Sequence, residues 1–224
     1  MTARTPSPLL GALLFLLFYL AVSPVAGAFS VGDLPLPGSP PAQVQEYLAA
    51  NTTPSLLTGL LQGVSGLGLA IVVAGPLTRT TATEPARGRL ERLGRVAGWV
   101  AVAAILTSAI LSVVLGLIAE TAGTGVVATV RSVSFYAGGV THVVALGVFV
   151  LSISVAHGWS RSVRVVARIA GSLAVLSLLS IAIYYASLFL PLGRLACMVT
   201  LVVAGTAYHR ARAAVPAAPG TAPW

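Results

Sequence analysis

Residues 56–77 read LLTGLLQGVSGLGLAIVVAGPL, a 22-residue stretch with no charged side chain and a single amide, Gln62. As a helix rising ~1.5 Å per residue it would reach about 33 Å, enough to cross the ~30 Å hydrocarbon core of a bilayer. Five more apolar runs accompany it, at residues 9–29, 97–118, 135–156, 169–190 and 192–208. Only 18 of the 224 residues are charged, 57% are hydrophobic, and the mean hydropathy is +0.95. Soluble domains carry roughly a quarter charged residues, so the chain reads as an all-α, polytopic transmembrane bundle of six spans. Residues 1–212 form the membrane domain, and the Ala/Pro-rich stretch 213–224 is expected to be a disordered tail.

All 13 basic residues are arginines, and their placement predicts orientation. Eleven fall on one side of the six spans: Arg4; Arg79, Arg87, Arg89, Arg92 and Arg95; Arg161, Arg164 and Arg168; Arg210 and Arg212. Only Arg131 and Arg194 fall on the other. Basic residues near span ends are retained in the cytoplasm, which puts both termini there, in the plasma membrane of a bacterium. The net charge of +8 thus follows from topology, and no nucleic-acid partner is implied, because the arginines hug span ends instead of forming one aromatic-interleaved patch. Trp99 and Trp159 fall at the inner boundary and Phe135 and Tyr136 at the outer one, as an aromatic belt requires. Leu90, Leu93 and Val96 share a face beside Arg89, Arg92 and Arg95 in a possible helix over 84–96. With Arg87, these arginines would meet anionic lipid headgroups, if they do more than set orientation.

The first span also fits a secretory signal, with an apolar stretch at 9–22 followed by Ala26-Gly27-Ala28. Retention is favoured by its length, with Pro24 kinking or ending the helix. Residues 30–55 then form an external loop. It opens with the Pro/Gly-rich stretch 34–41, followed by Val44, Tyr47 and Leu48 at helical spacing. That short helix lies on the membrane or caps the bundle; a ligand lid is a further reading. Thr53-Pro54 reads as the start of the second span, and Pro191-Leu192-Gly193-Arg194 as a tight turn between the last two. A faint repeat relates residues 95–102 to 168–175, each opening a span that runs outward.

Function would hide among polar groups inside the membrane, which are costly there and seldom face lipid. His142 lies ~10 Å below the outer surface by helical rise, level with Gln62, Ser112 and Tyr184. Ser177, Ser180, Tyr184 and Ser187 recur at helical spacing on the fifth span. Together they suggest a polar layer, whose plainer reading is interhelical hydrogen bonding. In the second span Gly59 and Gly63, with Gly66 close by, allow another helix to approach. No two-His motif, cysteine pair or carboxylate cluster offers a metal site, Cys197 is the sole cysteine, and no cofactor is implied.

Two resemblances bear on these residues. Gly63-Val64-Ser65-Gly66 is similar to the Gly-x-Ser-Gly pattern of rhomboid intramembrane proteases, which would make Ser65 the nucleophile and His142 its base. The histidine's following spacing, a Trp-Arg pair in the first external loop and a second oxyanion pair are missing from the pattern. Residues 47–51 through the second span, then 135–142 and 190–194, resemble bacterial six-helix membrane proteins of a domain-of-unknown-function family, over roughly residues 45–210. That resemblance implies the six-span architecture and no activity. The leading expectation is a non-enzymatic membrane protein: a permease-like or ligand-binding bundle with a cavity around His142 and the span-five serines, or a scaffold with a glycine-lined groove on the second span. The alternative is a protease using Ser65 and His142.

Overall fold

In a computed structural model, residues 7–35, 38–78, 85–156, 159–181 and 188–213 are described. Their elements are α1 (Pro8–Gly27), α2 (Pro41–Ala50), α3 (Thr52–Ala74), α4 (Pro85–Ile118), α5 (Thr124–Tyr136), α6 (His142–Ala156), α7 (Arg161–Leu176) and α8 (Phe189–Ala213). A π-helical turn, Ala137–Thr141, joins α5 to α6, and 3-10 turns occupy Pro76–Thr78 and Ser177–Ile181. Among the described residues there is no strand. Six helical segments are long and apolar enough to cross a membrane: Pro8–Gly27, Thr52–Ala74, Gly88–Ile118, Thr124–Val155, Arg161–Ser180 and Phe189–Ala211. The chain is thus a multi-pass, all-helical membrane protein.

The spanning helices close into a ring in which α1 packs on α3, α3 on α4, α4 on α6, α6 on α7, α7 on α8, and α8 back on α1. Lipid tails are as apolar as leucine, so helices in a bilayer associate through close packing and interhelical hydrogen bonds. Glycine provides the close packing here. A Cβ on Gly11 would stand 2.8 Å from the Gly68 carbonyl oxygen, and one on Gly68 2.8 Å from that of Gly11, which brings α1 and α3 together backbone to backbone. Gly147 and Gly171 repeat this reciprocal contact between α6 and α7, and Gly205 meets the Leu9 backbone where α8 closes the ring. Gly98 and Gly171, equivalent in the faint repeat, each pack on the spanning helix that precedes their own, against Val73 and Leu151. Between these seams Phe15, Leu69, Val72, Leu146, Phe149, Met198 and Leu201 are fully buried.

At one end α2 caps the bundle, one of the two placements expected of it. Leu48 joins Leu115, Ala119 and Val127 in a small second core. Gln45 Nε2 donates to the carbonyls of Ala119 (3.0 Å) and Ala122 (2.8 Å), while its Oε1 accepts from Thr124 Oγ1 at 2.6 Å. Fully buried Asn51 holds the preceding loop. Its Oδ1 accepts from Val31 N (2.8 Å), and its Nδ2 donates to the carbonyls of Val31 (3.0 Å) and Tyr47 (2.8 Å).

Several boundaries differ from expectation. Pro191-Leu192-Gly193-Arg194 is no turn; it lies in the opening turns of α8. Proline is tolerated in a first turn, whose N–H groups lack intrahelical partners anyway. Gly193 is required for contact instead, since a Cβ there would stand 2.6 Å from Ala174 Cα on α7. The third span begins well before residue 97, because the arginine-rich stretch continues the same helix from Pro85. The fourth starts at Thr124 and the fifth at Arg161. Pro24 does not end α1, which runs on to Gly27. The second span begins at Thr52, so Pro54 takes its third position and not its first. Tyr184, Ser187, Arg4, Arg79, Glu84, His157 and the tail from residue 214 lie outside the described residues, as does the Arg87 side chain.

The glycines of α3 divide by face. A Cβ on Gly59 would meet the Ala109 carbonyl oxygen and Val113 Cγ2, both at 2.6 Å, and one on Gly66 would meet Leu106 Cδ2 at 2.8 Å; around Gly63 nothing lies within 4 Å. Gly59 and Gly66 form the seam with α4, and Gly63 is not part of it. Gly59→Ala is therefore expected to cost about 1–3 kcal/mol by overpacking, and Gly63→Ala less than about 0.5 kcal/mol. Unfolding midpoints in detergent measure both, and equal costs would refute this division.

Candidate functional site

A polar cavity of about 530 Å³ lies where α1, α3, α4, α5, the π turn, the 3-10 turn after α7 and the start of α8 converge. Gln62 reaches it from α3, Ser108 and Ser112 from α4, Arg131 and Ser134 from α5, Ser180 from the 3-10 turn, and Arg194 from α8, with Tyr19, Phe135 and Tyr136 supplying aromatic wall. Its volume is in the range of ordinary small-ligand sites. A second cavity of about 420 Å³ shares Thr58, Ser112 and Arg131 with it and extends to exposed Asp33 and Leu34 in the 30–40 loop. The two adjoin, and the second reaches the surface under α2.

Three members of the expected polar layer, Gln62, Ser112 and Ser180, come together in this cavity. Ser177 does not; it is buried and donates to the Ala174 carbonyl at 2.6 Å. The α-helical spacing that grouped the span-five serines gives way after Leu176 to a 3-10 turn. His142 is also absent from the lining. Its Nδ1 lies 2.8 Å from the Ala101 carbonyl oxygen, and its ring packs edge-on against Phe15 with centroids 5.9 Å apart. A carbonyl can only accept, so Nδ1 carries the proton and Nε2 is left as a bare acceptor.

Ser65 is fully buried and donates to the Phe15 carbonyl at 2.8 Å. Among the described residues no hydrogen bond joins it to His142, whose Nε2 has no partner. A serine nucleophile needs contact with its base and access for substrate, and this pair has neither. Ser65 acts as a tie between α3 and α1, of the kind worth ~0.6 kcal/mol on average in membrane proteins.

The arginines of the cavity were missed in the sequence, where Arg131 and Arg194 read as loop residues. Arg194 stands at the start of α8, donates through Nη2 to the Gly138 carbonyl in the π turn, and holds its guanidinium carbon 4.9 Å from the Tyr19 ring centroid. A π turn interrupts the regular i→i−4 ladder, and here a carbonyl of that turn faces the guanidinium. Ser108 and Ser134 face each other, Oγ to Oγ, at 3.1 Å. The π turn fits closely at this point, because a Cβ on Gly138 would collide with the Ser108 side chain.

Buried polar atoms nearly always find partners, and the exceptions collect here. Of the four described side-chain atoms that are buried without one, Gln62 Oε1, Ser180 Oγ and Arg194 Nε belong to cavity residues; the fourth is His142 Nε2. No family model, curated protein or solved structure matches the chain. Among the described residues no group of three or more His, Cys, Asp or Glu could hold a metal.

The hydroxyl of Ser65 should be chemically inert. Incubation with a fluorophosphonate, which labels activated serines, is expected to leave Ser65 unmodified by mass spectrometry; stoichiometric labelling there would restore the Ser65–His142 pairing.

Proposed function

We propose that this protein is a non-enzymatic, ligand-binding or permease-like bundle of a bacterial plasma membrane, with both termini cytoplasmic and the α2-capped end outside. The observation that carries this reading is the polar cavity, where unpartnered polar atoms from three separate elements face a space of small-molecule size. A side-chain network that served only to hold helices together would satisfy its own donors and acceptors. Transporter sites lie in just such places, where interrupted helices turn backbone and polar side chains toward a shared cavity. The π turn and the 3-10 turn both border this one. Orientation rests on the arginine bias, and exposed Arg89, Arg92 and Arg95 would meet anionic headgroups at the inner surface. The resemblance to six-helix bacterial membrane proteins is in keeping with this placement.

One further observation favours a scaffold role. An apolar groove of about 380 Å³ on α3 and α4 is lined by Gly59, Gly63, Leu67, Ile110 and Val113, and Leu67 and Ile110 are exposed. Gly63 leaves it room for an incoming helix.

Cysteine accessibility tests the cavity. Cys197 is buried and supplies the blank. Ser112→Cys and Ser180→Cys are expected to react with a membrane-impermeant thiosulfonate added from outside, and Ser65→Cys is not. Silence at both cavity positions would overturn the ligand-binding reading. Green fluorescent protein fused after Trp224 is expected to fluoresce in cells, since it matures in the cytoplasm; a dark fusion of full length would reverse the orientation.

A further inference from the structure

We infer that the cavity binds an oxyanion, a phosphate or carboxylate on a small molecule or headgroup that also carries a hydroxyl. The inference rests on the ligand-binding reading above and adds the chemical class of the ligand. Two arginines, Arg131 and Arg194, line the same space, and among the described residues no acidic one lines it with them. Neither has an ion-pair partner among the described residues, where the Arg95–Glu91 pair lies elsewhere, on α4. Asp33, in the adjoining cavity, is the one carboxylate among the described residues of that lining, and it is exposed.

An uncompensated guanidinium inside a membrane protein is costly, and such groups mark binding sites or ion paths. Arg194 is held in place by the Gly138 carbonyl and the Tyr19 ring, yet neither contact neutralises its charge, and its Nε is buried without an acceptor. Guanidinium presents donors in a planar fork suited to carboxylate and phosphate oxygens. The start of α8 strengthens the same field, since Leu190 and Pro191 line the cavity and a helix N-terminus favours negative charge. Gln62 Oε1 is an acceptor without a donor, and Ser180 Oγ can give or take one bond. An anion that carries no proton would leave Gln62 Oε1 without a donor, whereas a hydroxyl beside the anionic group would supply one. Glycerol phosphate has this chemistry, whether free in solution or as the headgroup of phosphatidylglycerol.

The test uses the full-length Ser112→Cys protein in phosphatidylcholine nanodiscs. Modification rates with an anionic sulfonatoethyl and a cationic trimethylammonioethyl thiosulfonate are each divided by that reagent's rate with free cysteine. The anionic reagent is expected to react about tenfold faster at low salt, with the preference shrinking as salt rises and falling in Arg194→Gln. Arg131→Gln is the second variant should Arg194→Gln not fold, and Arg194→Lys should retain most of the preference. Slowing by glycerol 3-phosphate supports a soluble ligand; slowing only in phosphatidylglycerol nanodiscs supports a lipid. Equal rates, a cationic preference, or protection by neither compound overturns the inference while leaving an accessible cavity. Failure of both reagents overturns the cavity and the inference together.

Discussion

Backbone-to-backbone contact through glycine is the constraint on which the ring depends. The Gly11–Gly68 and Gly147–Gly171 pairs, and Gly193 against Ala174, draw neighbouring helices close enough for carbonyls and small side chains to meet. Apolar side chains gain little by leaving lipid for a protein interior, so dispersion at short range and the occasional hydrogen bond carry the association. The serine tie from α3 to α1 and the histidine contact from α6 to α4 exist because the seams are this tight. The cavity is the converse. It opens where regular helix gives way to the π turn and the 3-10 turn, and polar side chains line the space that results.

The spans were legible from hydropathy, and their ends were not. Hydropathy cannot register that an arginine-rich stretch extends a spanning helix, because arginine forms helix well while scoring as strongly polar; α4 and α7 both begin in such stretches. Proline and glycine mislead in the opposite direction at 191–194. Both punctuate loops in most sequences, but here one occupies a first turn and the other a helix contact, and local sequence does not separate these uses.

The site was half legible. Counting helical rise brought Gln62 and Ser112 to one level, helical spacing on the fifth span added Ser180, and the three do share a cavity. Depth says nothing of azimuth, and His142 turns to α4 and α1. The two arginines escaped for a definite reason: the rule that reads orientation from basic residues assigns each one to a loop. Arg194 was further obscured by the supposed turn around it. Gln45 and Asn51 gave no signal either, since apart from the Thr124 hydroxyl on Gln45 their partners are main-chain groups, and backbone carries no sequence pattern.

The reciprocal glycine pairs also bear on how this chain can evolve. A crowded side-chain contact can be relieved by a second mutation that shrinks the opposing residue. Between Gly11 and Gly68, or Gly147 and Gly171, the opposing residue is already the smallest there is. Any change at one member adds a Cβ that no substitution at the other can accommodate, so the only remedy is separation of the helices themselves. Such positions offer no local route to reversion, and the spacing between those helices is closed to gradual change.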